Sequence, residues 1–204
     1  MDVLLVVDLQ NDFCPGGALA VPDGDAVVEV INRVQARVPH VVQTQDWHPR
    51  GHVSLASSHP GRRPHERIRV PYGEQILWPD HCIPGTWGAA FREDYDASRV
   101  ELVLRKGFHM GIDSYSAFYE NDQATPTGLH GYLTERGLRH VGIVGLAADF
   151  CVAWSAYDAR RLGYDVTVVV DGTRGIDLDG SLDRAWTTMR DLGVRLVRAG
   201  EITG

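Results

Sequence analysis

The chain reads as a single α/β domain over residues 1–204, built on a mostly parallel six-stranded sheet with helices on both faces. Continuous apolar runs rich in β-branched residues, such as Val3–Val7, suit strands buried on both faces, as parallel strands are. Segments with helical periodicity alternate with these runs, the pattern of repeated βαβ units. The length suits one domain with a sizeable core, and no internal repeat or linker divides it.

The first strand, Val3 to Val7, ends at Asp8. Residues Leu9 to Leu19, with Pro15 and the Gly16-Gly17 pair, are loop chemistry and lack the Gly-Lys-Ser/Thr of a phosphate loop. A helix is expected from about Asp23 or Asp25, because Val27, Val30, Ile31, Val34 and Val38 share one helical face; Pro39 ends it. A second strand, His40 to Gln45, ends at Asp46, and residues 46–98 read as irregular, a length that usually carries function. The third strand, Val100 to Arg105, leads to Lys106-Gly107. A short helix spans roughly Leu129 to Arg136, with Gly137 as its cap. The fourth strand stops at Gly145-Leu146, and a helix opens around Cys151 and runs to about Leu162, before Gly163. Asp165 to Val170 is a fifth strand, Ser181 to Leu192 a helix, and Val194 to Val197 the last strand.

Composition narrows the function classes. A net charge of −7 argues against a large nucleic-acid-binding surface. No apolar run is long enough to span a bilayer, and acids bracket the apolar N-terminal run, so neither a membrane span nor a signal peptide is read. Cys14, Cys82 and Cys151 are odd in number and far apart, which points to a reducing, cytoplasmic setting.

Asp8, Lys106 and Cys151 each fall near the end of an expected buried strand, and parallel strands bring such ends to one edge. Together they make a workable nucleophile set: the lysine and a helix N-terminus would acidify the thiol, and the aspartate would accept and return its proton. Read one by one, the same residues are a small buried hydrophobe, a turn acid and a solvated charge. A second group is Asp46 and His48, two apart in an extended segment, with His81 as a third ligand; carboxylate and imidazole suit a divalent zinc, iron or manganese ion. Cys82 beside His81 reads as structural. Phe13, Trp78 and Tyr115 are loop aromatics suited to packing or to a flat ring.

These residues fall in segments that resemble the nicotinamidase/pyrazinamidase family of isochorismatase-like cysteine hydrolases. The segments are Val7 to Phe13 with Pro15 to Leu19, Asp46 to Pro49 with His52, and Leu77 to Cys82 with Gly85-Thr86. Arg105 to Gly107 with Asp113 to Phe118, and Val144 to Ala147 with Asp149, Cys151 and Val152, complete the match in order along nearly the whole chain. The resemblance implies that Cys151 attacks a carboxamide carbon, Asp8 acts as general base and acid, and Lys106 is its partner. It further implies a cis peptide at Leu146–Ala147 and an oxyanion hole from the Ala147 and Cys151 N–H groups. One divalent ion, zinc before iron or manganese, would lie on Asp46, His48 and His81, with His52 a ligand in some members only. Phe13, Trp78 and Tyr115 would sandwich the pyridine ring. The implied reaction is hydrolysis of nicotinamide, and by similarity pyrazinamide, to the acid and ammonia, serving NAD salvage. Oligomeric state stays open, with a homo-oligomer possible. Phe150 departs from members with a polar residue before the cysteine. The competing readings are another isochorismatase-like amide or enol-ether hydrolase, which would generally lack the Asp46/His48/His81 set, and a binding module that has lost catalysis.

Overall fold

In the computed structural model, which describes residues 1–202, the run Val3–Val7 forms β1 and is buried along its whole length. β2 (His40–Asp46), β5 (Val100–Lys106), β6 (His140–Leu146), β7 (Asp165–Arg174) and β8 (Arg195–Val197) join it in one all-parallel sheet. The order is β5-β2-β1-β6-β7-β8. α1 (Val27–Gln35) crosses from β1 to β2, and α2 (Leu129–Glu135) returns from β5 to β6. α3 (Ala153–Arg161) and α4 (Ser181–Asp191) then carry the chain outward to β7 and β8. Right-handed crossovers running in opposite directions put α1 on one face and α2 to α4 on the other. The direction reverses between β1 and β6, so a crevice opens past their C-terminal ends.

Local chemistry explains each element. Val27, Ile31 and Val34 recur at helical spacing and are buried against the sheet. Ala153, Ala156 and Ala159 line the buried side of α3, small enough to seat the helix close to the strands. Two expectations are corrected. Residues 46–98 are not wholly irregular: β3 (Arg67–Val70) and β4 (Gly73–Ile76) form an antiparallel hairpin turned by Pro71-Tyr72. Its four-residue strands are too short to stand out as alternation. β7 continues to Arg174, because a register shift against β6 lets pairing resume at Thr173 after the expected stop at Asp171. Among the described residues no helix is long and apolar enough to cross a membrane.

Gly145 pairs with Val7 across the two strands that flank the crevice. It has φ 112°, and a Cβ there would run into the Val7 carbonyl oxygen. Gly131, by contrast, lies exposed in α2 with nothing near the place a Cβ would take. Gly145→Ala should therefore destabilise the fold by more than about 1 kcal/mol, and Gly131→Ala stabilise it by about 0.5–1 kcal/mol. Urea denaturation of the two variants checks both signs.

Candidate active site

β1, β2 and β5 end side by side and deliver three charged groups to one point. Lys106, the last residue of β5, is fully buried, with its Nζ 2.8 Å from Asp8 Oδ2 and 2.8 Å from Asp46 Oδ1. The same Nζ donates to Ser114 O at 2.9 Å and reaches Cys151 Sγ at 3.4 Å. Asp8 follows β1 with φ 45°. The Thr44 hydroxyl accepts from Asp8 N at 3.0 Å and donates to Oδ1 at 2.5 Å. Asp8 Oδ2 lies beside the ammonium but makes no aligned hydrogen bond, so a lone pair stays available.

Cys151 sits on a π-helical turn, Ala148–Val152, that leads from the end of β6 into α3. The Leu146–Ala147 peptide is cis. The Ala147 N–H makes no hydrogen bond to the protein among the described residues. A small cavity opens above the turn, and Cys151 is the one member of the Asp8/Lys106/Cys151 group that lines it. Burial works against the acidified thiol expected from the sequence. Burial pushes the Cys151 thiol well above its ordinary pKa; Lys106 pulls it down, Asp8 and Asp46 push it further up. Burial also raises Asp8, against the pull of Lys106. Lys106 is held charged by Asp46 and Asp8 despite its burial.

The second group faces the same cavity. His48 donates Nδ1–H to Gly107 O at 3.0 Å, and His81 donates Nδ1–H to Pro79 O at 2.8 Å. Both rings therefore turn Nε2 toward Asp46 Oδ2, at 2.9 Å and 3.3 Å. Two imidazoles anchored through Nδ1 and one carboxylate oxygen, all buried, are donor types that could hold a divalent transition metal. Gly107, with φ 68°, is required at this point because any Cβ would strike the His48 ring. Burial opposes charging of His48, but Asp46 outweighs it and raises the pKa to about 9 with no cation between them. Asp46 itself is held well below the usual carboxylate range by His48 and Lys106, which outweigh its burial.

His52 is turned differently. Its Nδ1 accepts from Ser54, and its Nε2–H points at the carbonyls of His109 and Ile112, at 3.0 and 3.1 Å. It lies near His48 and Asp113. Both its ring nitrogens are already engaged, so it stands behind the Asp46/His48/His81 group.

Phe13, Trp78 and Tyr115 all line the cavity. The Trp78 Nε1–H donates to the Tyr115 hydroxyl at 3.1 Å, and Phe150 stands edge-on to Trp78 at 4.9 Å. Sequence reasoning missed the supports beneath these groups. Buried Gln10 clamps the backbone of Asp46: its Oε1 accepts from Asp46 N at 2.7 Å, and its Nε2 donates to Asp46 O at 2.9 Å and Ala89 O at 3.0 Å. Asp12 Oδ2 accepts from Cys82 N at 2.7 Å, while Cys82 O accepts from His48 N at 3.1 Å. Asp149 takes three donors, Ile176 N, Asp177 N and Ser181 Oγ, tying the cysteine turn to the loop that carries Ile176 over the cavity. Gln10 and Asp12 lie in a segment the sequence had singled out, but only contacts show what they hold.

Residues 2–201 match the model of the isochorismatase domain. The chain belongs to the isochorismatase family. Within it, the chain is similar to a nicotinamidase of Acinetobacter baylyi, 49% identical over 98% of this chain and 93% of that protein. It is similar in structure to a nicotinamidase/pyrazinamidase of Acinetobacter baumanii, with a TM-score of 0.98 and 50% identity, covering 99% of this chain and 98% of the other. A pyrazinamidase of Pyrococcus horikoshii in complex with zinc has a TM-score of 0.75 at 31% identity, covering 97% of this chain and 98% of the other.

Gln10→Leu removes both hydrogen bonds that clamp the Asp46 backbone and leaves those buried groups unpaired. The variant should lose about 2–4 kcal/mol of stability, read as a lower urea midpoint at unchanged slope.

Proposed function

We propose that the chain hydrolyses nicotinamide to nicotinate and ammonia through a thioester on Cys151, and accepts pyrazinamide as well. The observation that carries this reading is the placement of one buried thiol, backed by Asp8 and Lys106, across a small ring-lined cavity from the Asp46/His48/His81 donors. The names of the similar proteins support the same substrate class.

The protonated thiol defines the first step. Cys151 gives its proton to Asp8 as Sγ attacks the carboxamide carbon, and the raised affinity of Asp8 for a proton suits it to receive one. Lys106 keeps its charge and stabilises the developing thiolate and the deprotonated Asp8 in turn. Ala147 and Cys151 N–H groups take the oxyanion of the tetrahedral intermediate. The C–N bond breaks, and ammonia leaves with the proton returned by Asp8. Asp8 then takes a proton from water, whose oxygen attacks the thioester; the C–S bond breaks, the thiol regains its proton and nicotinate leaves.

Phe13, Trp78 and Tyr115 hold the ring flat, with Phe150 closing the wall. Asp46, His48 and His81 would hold one divalent ion, proposed as zinc on the precedent of the Pyrococcus horikoshii protein; iron(II) and manganese(II) suit the same donors. When bound, such an ion supplies a Lewis acid for the pyridine nitrogen, directly or through water. His52 is proposed as a support for the group. We assign the enzyme to NAD salvage in the cytoplasm, where its three unpaired cysteines stay reduced.

Ammonia release from nicotinamide by the purified, metal-replete protein tests the proposal. Cys151→Ala should lower turnover by about 10³-fold or more. Chelation should abolish turnover, and added zinc restore it. Turnover that survives chelation removes the metal from the reaction. No turnover by the untreated protein overturns the nicotinamide reading in favour of another amide or an enol ether.

A further inference from the structure

β5 ends the main sheet and, among the described residues, pairs only with β2. Trp47 N donates to Lys106 O, so the backbone groups of Leu102, Leu104 and Lys106 face β2. Backbone direction alternates along a strand, which turns the N–H and C=O groups of Val103 and Arg105 outward. Among the described residues no other segment's backbone bonds to them. Glu101 is the residue that the β2–β5 register skips, so it too has no residue opposite it on β2. Glu101, Val103 and Arg105 are all exposed, and Val103, 46% exposed, is one of the few large apolar side chains left in solvent.

Charged residues on an edge strand ordinarily discourage pairing. The order Glu101-Leu102-Val103-Leu104-Arg105 has the opposite consequence for a second copy of the same strand. It is symmetric about Val103 except that its two ends carry opposite charges. When two copies lie antiparallel with Val103 opposite Val103, each Glu101 faces the other copy's Arg105, and each leucine faces a leucine. The outward backbone groups of Val103 are then placed to exchange both hydrogen bonds with their symmetry mates. The charged groups are also anchored within their own chain. His40 Nδ1 lies 2.9 Å from Glu101, and the Tyr132 hydroxyl donates to it at 3.2 Å. Arg105 donates to Gln45 at 3.2 Å and stacks 3.9 Å over the Trp47 ring.

We infer that β5 is a homodimer edge, across which two copies of this chain pair antiparallel about Val103 and join their sheets through reciprocal Glu101–Arg105 contacts. The interface uses no residue of the active site and stands independently of the activity proposed above.

Sedimentation velocity of the full chain over a concentration series is the test. The chain should sediment as a dimer. Glu101→Arg and Arg105→Glu should each raise the dissociation constant by more than about tenfold, because each sets like charges opposite one another twice. Mixing the two single variants, or combining both reversals in one chain, should restore the dimer. A chain that stays monomeric throughout, or a dimer indifferent to both reversals, overturns the proposal. Hydrogen exchange on the unmodified chain keeps the test open if a variant misfolds. Val103 and Arg105 amides should gain protection as concentration rises, and exchange that ignores concentration overturns the proposal equally.

Discussion

A fully buried ammonium is tolerated only where carboxylates meet it, and Lys106 meets two. The pairing forces the ends of β1, β2 and β5 together, since each strand brings one of the three groups. It also couples two chemistries. Asp46 gives Oδ1 to the ammonium and turns Oδ2 toward the Nε2 atoms of His48 and His81. Asp8 gives one oxygen to Thr44 and leaves the other beside the ammonium and the thiol. Removing any one group would leave an uncompensated charge in a dry place, so the cluster behaves as a unit.

The loop after β1 turns this charge cluster into a fixed geometry. Asp8 opens the loop, Gln10 grips the backbone of Asp46, and Asp12 holds Cys82 between His81 and the His48 backbone. One short segment therefore ties the proposed general base to all three proposed metal ligands. Such positioning outlasts side-chain fluctuations because the gripped atoms are backbone atoms, which cannot rotate away. Cys82 serves here through its peptide groups, while burial pushes its thiol well up. Asp149 does for the cysteine turn what Gln10 does for Asp46.

How much of this was legible in the sequence follows from which signals are periodic. The apolar runs and the helical stripe of α1 announced the parallel sheet, and strand ends in a parallel sheet share an edge, so Asp8 and Lys106 could be brought beside Cys151 before any coordinates. The β3–β4 hairpin was not legible, because four-residue strands carry too little alternation. Nor were the clamps: the Gln10–Asp46 bonds join residues 36 apart, and a side chain that grips a distant backbone leaves no periodic mark. The direction of the thiol's pKa is not legible either: the lysine is visible in the sequence, whereas the burial that outweighs it is a property of the assembled fold.

The bulge in β5 shows how closely the site depends on strand register. Val41 pairs with Val100, and a regular ladder from there would set Asp46 opposite Arg105. The extra residue, Glu101, advances β5 by one, so that Asp46 meets Lys106 instead. Because side chains alternate faces, a slip of one residue would exchange the exposed guanidinium for the buried ammonium and empty the centre of the cluster. Arginine could not stand in its place: its planar fork needs more room than the point where Asp8, Asp46, Ser114 and Cys151 converge on a single nitrogen. The same advance leaves Glu101 with no residue opposite it on β2 and Arg105 on the outer face. A single inserted residue thus sets the charge at the reaction centre on one side of β5 and the charge pattern of its free edge on the other.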